Sequence, residues 1–235
     1  MRVLVTRPAH SAEKTAQRLR DIGHEPLLLP LRQPLHDAAT AAKALAAGSG
    51  PIAVTSAEAL RVVSALGETL RPHLARPLFA VGEATAKEAE SLGFRSVSSS
   101  SGNGRDLADL IAAQGADGLL YLAGLPRAET FEQGLRDFGI RFSVAECYRM
   151  QPAAPGRAAL EALFSGGRPE AILFYSRQTA DDFFRLPDLR AALPEVGEIR
   201  LLCLSEAVAQ AIPADLKDKA TIAPMPDEKS LLSLL

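Results

Sequence analysis

The two halves of this chain resemble each other, each showing short apolar runs followed by helical segments. When Leu4 is aligned with Leu120, residues 19–23 fall on residues 135–139. Two later pairs of segments show the same relationship, residues 54–60 with 174–180 and residues 80–86 with 203–209. The order along the chain is therefore A, B, A′, B′, which predicts two similar lobes. Chance likeness between βα units, which share a common composition, stays open as the alternative.

Short apolar runs, rather than alternating apolar and polar residues, mark the predicted strands. This pattern is typical of parallel sheets that are covered on both faces. The predicted strands are residues 2–5, 26–29, 51–55, 78–81, 96–98, 118–122, 142–146, 171–175, 200–204 and 220–223. Ligands of such sheets bind at the loops after the carboxyl ends of the strands, so two facing lobes predict a cleft lined by those loops.

Segments with apolar residues three or four positions apart separate the strands and predict helices. These segments are residues 11–22, 56–66, 83–92, 105–113, 128–138 and 206–212. Four of them are followed by a glycine that we expect to act as a C-cap, namely Gly23, Gly67, Gly93 and Gly139. Because strand and helix alternate throughout, the predicted fold class is α/β with parallel sheets.

Two extended segments interrupt this alternation. Residues 26–35 are rich in proline and leucine, residues 142–152 are rich in β-formers, and each leads to an alanine-rich helical segment. If the chain crosses between lobes there, B pairs with A′ and B′ pairs with A. The predicted domains are then residues 36–145 and a discontinuous lobe of residues 1–31 with 150–235, with connectors at about 30–36 and 145–152. The repeat alone leaves the simpler pairing of A with B open.

Charge and composition narrow the class of protein. The net charge is −2 and no lysine-rich run is present, so nothing favours a nucleic acid or an acidic membrane surface as partner. No apolar run approaches the roughly 20 residues of a membrane span, and the N-terminal segment does not resemble a signal peptide, so the cytoplasm is the expected location. Cys147 and Cys203 lie inside apolar stretches, which indicates buried thiols rather than a disulfide or a metal site.

A series of short motifs extends over nearly the whole chain: LVTRP, VTSAEAL, FAVGEATAKEA, SGNGRDLADLI, LYLAGLPRAETF, CYRM, LFYSRQTADDF, LCLSEAVAQAI and IAPMPDEKS. In this order and spacing they resemble the uroporphyrinogen-III synthase family. The resemblance implies two flavodoxin-like lobes, the discontinuous pairing and a two-stranded β connector. It also implies a cofactor-free lyase of tetrapyrrole and heme biosynthesis. Such an enzyme converts linear hydroxymethylbilane to uroporphyrinogen III, with loss of water and inversion of the last pyrrole ring.

The implied substrate carries an acetate and a propionate on each pyrrole ring, so its site needs many anion-binding groups. Helix N-termini supply them, because their free N–H groups and the helix dipole favour an anion by about 0.3–1 kcal/mol each. We place most of the predicted substrate-binding residues at turns that enter helices: Thr55, Ser56, Gly82, Thr85, Asn103, Gly104, Gly124, Ser176 and Ser205. Ordinary N-capping is an equally good interpretation of the three serines.

Three arginines add positive charge at the same strand ends. Arg7 follows the first strand, Arg127 follows a Leu-Pro turn, and Arg177 follows Ser176. Since guanidinium groups bind carboxylates through paired hydrogen bonds, each of the three is a predicted substrate ligand.

Tyr148 is the predicted catalytic residue. The linker tyrosine of the family falls on this position, so the resemblance implies a phenol that acts as general acid on the departing hydroxide. A packed tyrosine that stabilises the hinge is the alternative. Thr85 matches the GxxTA motif of the family, whereas Val208 stands at the equivalent position of the second half, so we expect no catalytic hydroxyl there.

Neither a cofactor nor a metal ion is predicted. The histidines, His10, His24, His36 and His73, show no metal-ligand spacing and receive no role, and GxGxxG and P-loop motifs are absent. Two other functions stay open: a non-catalytic two-lobed sensor or binding protein for a small ligand, and a flavodoxin-type redox protein. The first strand disfavours the latter because no aromatic residue flanks it. A monomer is expected, since no long apolar seam is evident.

Overall fold

The computed structural model describes residues 1–194 and 196–235. The chain folds into two compact units. The first unit consists of Met1–Gln33 and Gln151–Leu235, and the second consists of Pro34–Met150. Each unit contains its own β-sheet. The first unit therefore combines both ends of the chain, and the second is one continuous segment.

The strands are mostly three to five residues long. They are β1 (Arg2–Val5), β2 (Glu25–Leu28), β3 (Arg32–His36), β4 (Ile52–Val54), β5 (Leu78–Val81), β6 (Val97–Ser100), β7 (Leu119–Leu125), β8 (Phe142–Pro152), β9 (Ala171–Phe174), β10 (Arg200–Cys203) and β11 (Ala220–Ile222). The first sheet has the order β11-β10-β9-β1-β2, and the second has the order β3-β8-β7-β4-β5-β6.

Neighbouring strands run parallel across the first sheet and from β8 to β6 in the second. The order β6-β5-β4-β7-β8 corresponds strand by strand to β11-β10-β9-β1-β2. The sequence repeat thus has a structural counterpart in two sheets of equal strand order. The predicted α/β class with two parallel sheets is confirmed. Because parallel strands end at the same edge, each sheet gathers the turns after its strands along one edge.

Strand β3 is an exception to the parallel arrangement. Asp37 N donates to Cys147 O, and Ala153 N donates to Leu31 O, so β3 runs antiparallel to β8. Both boundaries between the units fall within these two strands. The chain therefore passes from one unit to the other along a paired two-stranded ribbon.

Helices cover the faces of the sheets. They are α1 (Ala9–Asp21), α2 (Ala38–Ala46), α3 (Ala57–Ser64), α4 (Glu83–Ser91), α5 (Gly104–Ala113), α6 (Thr130–Asp137), α7 (Arg157–Phe164), α8 (Arg177–Phe184), α9 (Leu189–Ala192), α10 (Glu206–Ala209) and α11 (Glu228–Leu232). Three 3₁₀ helices occupy Gly67–His73, Val196–Glu198 and Ala214–Lys219.

The predicted helix boundaries hold best where a cap is present. Gly23, Gly93 and Gly139 each lie two residues beyond the last residue of a helix and have φ values of 81°, 99° and 67°. Gly67 was predicted wrongly, because it begins a 3₁₀ helix instead of capping α3. The predicted helical segments also lack the range of α8, although Ser176 was placed at a helix entrance, since polar residues in RQTADDFF obscure the spacing of its buried residues.

Both faces of each sheet carry buried apolar side chains, as the continuous apolar runs predict. In the first unit, Leu4 lies in one core cluster and Val3 and Val5 lie in the other. In the second, Ile52 and Val54 contribute to one cluster, and the intervening Ala53 contributes to the opposite one. Full burial of a large aliphatic side chain contributes about 1.5–3 kcal/mol, so these central strands hold the turns at their ends in place.

Candidate active site

Polar turns of the second unit lie along the carboxyl edge of its sheet. Thr55 and Ser56 follow β4, Gly82 follows β5, residues 101–103 follow β6, and Arg127 lies just beyond β7. Since these strands are parallel, their ends share one edge. The structure therefore brings most of the substrate-binding residues predicted for this unit to one side of it.

A β-bulge in β8 determines where Tyr148 points. The register pairs Ala123 with Glu146 and Gly124 with Tyr148, so Cys147 is the extra residue. In a regular strand, the adjacent residues Cys147 and Tyr148 would face opposite sides of the sheet. Because of the bulge, Tyr148 packs against the same core cluster in which Cys147 is buried.

Gly124 provides the space for the tyrosine ring. A Cβ built on Gly124 would lie 2.2 Å from Cζ and 2.6 Å from the hydroxyl oxygen of Tyr148. No side chain fits at that distance, so the ring lies directly against the Gly124 backbone. The predicted position of Gly124 at a helix entrance is wrong, because the residue lies inside β7. Its missing side chain, rather than an amide at a helix N-terminus, is its contribution to the site.

The side chain of Ser56 lies near the Tyr148 hydroxyl. Burial raises the pKa of the Tyr148 phenol, and the neighbouring Ser56 side chain lowers it in part. Glu58 and Tyr121 add to the increase through their charge. A raised pKa keeps the phenol protonated at neutral pH, and the protonated phenol is the form that donates a proton.

Thr55 is fixed by a second tyrosine. Its Oγ1 lies 2.8 Å from the hydroxyl oxygen of Tyr121. Tyr121 is only 1% exposed, and its ring packs edge-on against Phe131 with the centroids 4.8 Å apart. Because the Tyr121 ring is locked by packing, the orientation of the Thr55 hydroxyl at the sheet edge is set from the core.

Gly82 opens α4 with free first-turn amides. Its φ of 78° favours glycine, and no side chain caps the helix. Thr85 lies in the first turn and is 8% exposed. A helix N-terminus without a side-chain cap directs its N–H groups towards any anion that binds there. This turn is therefore suited to a carboxylate.

The start of α5 is already occupied by groups of the chain itself. The Asn103 side chain accepts a hydrogen bond from Arg105 N at 2.7 Å, and Asp106 Oδ2 accepts one from Asn103 N at 2.7 Å. A Cβ at Gly104 would lie 2.8 Å from Phe131 Cβ, so Gly104 serves close packing. An anion that binds at this turn would be repelled by the carboxylate of Asp106. The start of α5 is therefore a less favourable anion site than the start of α4.

Two carboxylates hold Arg127. Its Nε donates to Glu132 Oε1 at 2.7 Å and its Nη1 donates to Glu146 Oε1 at 2.8 Å. Hydrogen bonds to Glu146 and Glu132 raise the pKa of Arg127. The charge of Arg127 is thus matched within the chain. Any further carboxylate that binds Arg127 must compete with Glu146, the more exposed of the two partners.

A cavity of about 360 Å³ opens beside Tyr148. Its wall includes His36 and Arg149 together with the apolar residues Leu35 and Leu125. His36 Nε2 lies 2.6 Å from Glu58 Oε1. Sequence reasoning did not single out His36, which reaches this wall because it ends β3, the strand next to β8.

A larger cavity of about 600 Å³ lies in the first unit. Arg18 and Ile22 of the α1 segment and Leu232 of α11 contribute to its wall. These residues come from helix surfaces and not from the turns after strands, where α/β sheets bind ligands. Its size therefore does not make it the candidate site.

In the first unit, Arg7 forms an ion pair with Glu228. Arg7 Nη1 donates to Glu228 Oε1 at 3.0 Å and to Thr15 Oγ1 at 3.2 Å. Tyr175 donates its hydroxyl to the same Glu228 oxygen at 2.9 Å, and Arg18 pairs with the other oxygen. The Arg7 guanidinium lies 4.1 Å from the centroid of the Tyr175 ring. Arg7 is thus bound to the C-terminal helix, a relationship that sequence reasoning missed.

The remaining residues singled out in this unit differ in their environment. Ser176 caps α8, which matches its interpretation as an N-cap. Arg177 is exposed and forms no side-chain hydrogen bond or ion pair with residues 1–194 or 196–235. Ser205 precedes α10 but its side chain makes no capping hydrogen bond. Arg177 therefore offers a more accessible charge than Arg7.

Both cysteines are buried and free, as predicted. Burial raises the pKa of Cys147 to about 11 and that of Cys203 to about 12. In the described part of the chain, no group of three or more His, Cys, Asp or Glu side chains is arranged to hold a metal ion. None of the described helices combines the length and the apolar character needed to cross a membrane.

The fold and the polar turns at the carboxyl edges of the sheets define a class of protein. It consists of duplicated α/β proteins with two units and with turns suited to an anionic ligand. The model of the family HEM4, described as uroporphyrinogen-III synthase HemD, matches residues 13–233. The chain belongs to this family. No curated protein matches the chain significantly.

Solved structures show the same fold. The chain is similar to a uroporphyrinogen-III synthetase from Helicobacter pylori 26695, with a TM-score of 0.66, 18% identity and coverage of 100% of this chain and 98% of that chain. It is also similar to a mutant uroporphyrinogen III synthase from the extreme thermophile Thermus thermophilus, with a TM-score of 0.56, 21% identity and coverage of 99% and 96%.

Family membership establishes the activity. The chain is a cyclising lyase of heme biosynthesis that acts on a linear tetrapyrrole and forms uroporphyrinogen III. The non-catalytic sensor receives no support from these comparisons.

Proposed function

We propose that the chain cyclises hydroxymethylbilane at the carboxyl edge of the second sheet, with Tyr148 as general acid. The phenol gives its proton to the hydroxyl group of the substrate as the C–O bond breaks, so that water leaves. A general acid typically contributes about 10²–10⁴-fold to the rate. The observation that carries the proposal is the placement of Tyr148: the bulge at Cys147 aims it, and Gly124 leaves room for its ring.

The acetate and propionate groups of the substrate require several weak anion sites. In the second unit, we assign them to the uncapped start of α4 at Gly82 and Thr85, to Thr55 and to Arg127. Support comes from the free amides at α4 and from the hydroxyl of Thr55, which Tyr121 holds at the edge. Asn103 and Gly104 are weaker candidates, because Asp106 already caps their turn.

In the first unit, we assign substrate carboxylates to Arg177, with Ser176 and Ser205 beside it in the proposed site. Support comes from the exposure of Arg177 and the location of both serines after parallel strands. Arg7 is the weaker ligand, because binding a substrate there requires it to leave Glu228. The cleft between the units stays a prediction.

Selectivity follows from positioning rather than from strong acid or base chemistry. Loss of water leaves an electrophilic azafulvene, which closes without help into the uninverted isomer. Holding the end rings so that attack falls on the substituted carbon of the last ring changes the product. We further propose that the enzyme is a cytoplasmic monomer that uses no cofactor and binds no nucleic acid, in line with its net charge of −2.

A coupled assay with freshly prepared hydroxymethylbilane tests this function. After oxidation of the products, the type III and type I isomers are separated and compared with a reaction without protein. We expect type III product at a rate far above the background. Type I product alone, at the uncatalysed rate, would refute the proposed function.

A further inference from the structure

We infer that His36 is a second catalytic residue, the base that takes the proton released when the macrocycle closes. This inference rests on the proposed function. His36 and Tyr148 line the same cavity of about 360 Å³. The two residues reach it from β3 and β8, which are neighbours in the sheet.

The reaction needs a base as well as an acid. When the C–O bond breaks, the departing hydroxide takes the phenol proton and leaves as water. The bond that finally closes the ring forms at the unsubstituted α-carbon of the last pyrrole. That carbon then loses its proton, and the electrons of the C–H bond restore the aromatic ring. The proton goes to His36 and afterwards returns to the phenolate of Tyr148, so the enzyme ends in its starting state.

Glu58 orients the His36 ring for this task. A carboxylate only accepts hydrogen bonds, so the contact of 2.6 Å to Glu58 Oε1 requires the proton of the neutral ring on Nε2. The lone pair then lies on Nδ1, where it can accept a proton. The same division of labour between a carboxylate and an imidazole operates in Ser-His-Asp hydrolases.

The acid and the base are supported by one helix turn. Glu58 is largely buried, and its other carboxylate oxygen accepts from Arg61. The backbone N of Glu58 donates to Ser56 Oγ at 3.2 Å, and the Ser56 side chain lies near the Tyr148 hydroxyl. The start of α3 thus places Ser56 beside the Tyr148 phenol and holds the His36 imidazole through Glu58.

Other basic groups of the cavity wall are engaged elsewhere. The Asp37 carboxylate accepts from Thr40 N at 2.9 Å and from Thr40 Oγ1 at 2.7 Å, so it caps α2. Glu146 is paired with Arg127. Arg149, which also lines the wall, carries no lone pair for a proton. Among these wall residues, His36 is the group best suited to act as a base.

Rescue by imidazole provides the test. We expect His36→Ala to lower kcat about 100-fold, in the range for loss of a general base, with little change in KM. Added imidazole, which fits the space left by the ring, should restore at least a tenth of the lost rate. His24→Ala serves as the matched control. Its turnover should equal that of the wild type with and without imidazole.

His36→Gln covers the case in which His36→Ala fails to fold. Glutamine retains a donor for Glu58 but is no base, so we expect a normal melting temperature and low kcat. In that variant, deuterium at the α-carbon of the last ring should slow turnover more than in the wild type. Full turnover of either variant overturns the role of His36, and so does a lost rate that imidazole does not restore in folded His36→Ala. Absence of type III product with the wild type would instead refute the proposed function.

Discussion

The ring of Tyr148 fills the space that a side chain at Gly124 would occupy. The two residues are direct partners in the register of β7 and β8, and a Cβ at position 124 would lie 2.2 Å from Tyr148 Cζ. The ring cannot keep its place if residue 124 gains even a methyl group. The glycine therefore controls the orientation of the proposed acid.

Gly124→Ala is expected to displace the Tyr148 ring. The overlap should cost about 1–3 kcal/mol of unfolding free energy, as overpacking commonly does, and should lower kcat for type III product. Urea denaturation and the coupled assay measure the two effects. Gly48→Ala is the matched control, since no atom lies within 4 Å of a Cβ at that position.

A double mutant separates the effect on the phenol from a general disturbance. If Gly124 acts through the Tyr148 hydroxyl, adding Gly124→Ala to Tyr148→Phe should reduce kcat no further. Additive losses in kcat would contradict this relationship.

Tyr148→Phe is expected to lower kcat by about 10²–10⁴-fold and to leave KM nearly unchanged. The loss of the hydroxyl should cost at most about 0.5–1.5 kcal/mol of stability. Initial rates and thermal unfolding of the same preparation provide the comparison. Unchanged turnover at unchanged stability would show that the tyrosine only packs against the core.

Arg127 and Arg177 should differ in how their loss affects stability. Arg177→Ala removes an exposed side chain without ion pairs to the described residues, so unfolding free energy should change by less than about 0.5 kcal/mol while KM rises. Arg127→Ala removes the ion pairs of Arg127 with Glu132, which keeps only Arg136, and with Glu146, and it should cost about 1 kcal/mol as well as raising KM. Equal stability losses for the two variants would contradict these different environments.

Glu228→Gln should destabilise the first unit. Arg7, Thr15 and Tyr175 direct hydrogen bonds to this carboxylate and Arg18 forms an ion pair with it, so we expect a loss of about 1–3 kcal/mol. Glu161→Gln is the control, because its pair with Arg157 is exposed and should be worth less than about 0.5 kcal/mol. Urea denaturation of both variants gives the comparison, and equal losses would argue against a special role of Glu228.

The buried thiols predict a loss of stability at high pH. Both pKa values are raised in the folded state, from 9.0 to about 11 for Cys147 and to about 12 for Cys203. Their contribution is thus complete below pH 9 and is lost as the pH rises through these folded values. We expect the unfolding free energy, measured by urea denaturation between pH 8 and pH 11, to fall less steeply with pH for the double variant Cys147→Ala/Cys203→Ala than for the wild type.

Local patterns predicted the sheets well. Apolar runs located the strands because a covered parallel strand is apolar on both faces, as in the fully buried run Ile52–Val54. The N-cap Ser176 and the C-cap glycine Gly93 are equally local signals. The range of α8 was not predicted, although its N-cap Ser176 was, because only Thr179, Ala180 and Phe183 of its residues are buried.

The site was less accessible to sequence reasoning. The sequence named Tyr148 but not the bulge that aims it, since an extra residue in a strand shows itself only against the register of its partner. Two further contacts, His36 with Glu58 and Arg7 with Glu228, join residues from different elements. No spacing along the chain predicts such contacts. The predicted roles of the remaining ligands stay predictions.

The exchange of strands between the repeats bears on how the chain is made. Strand β1 leaves the ribosome before the second unit, but its neighbour β9 is synthesised after that whole unit. Residues 34–150 are therefore expected to complete their sheet while β1 has only β2 as a neighbour. A nascent chain stalled before residue 171 would carry one finished unit and an apolar strand β1 whose edge towards β9 is open, the form most exposed to aggregation and to chaperones.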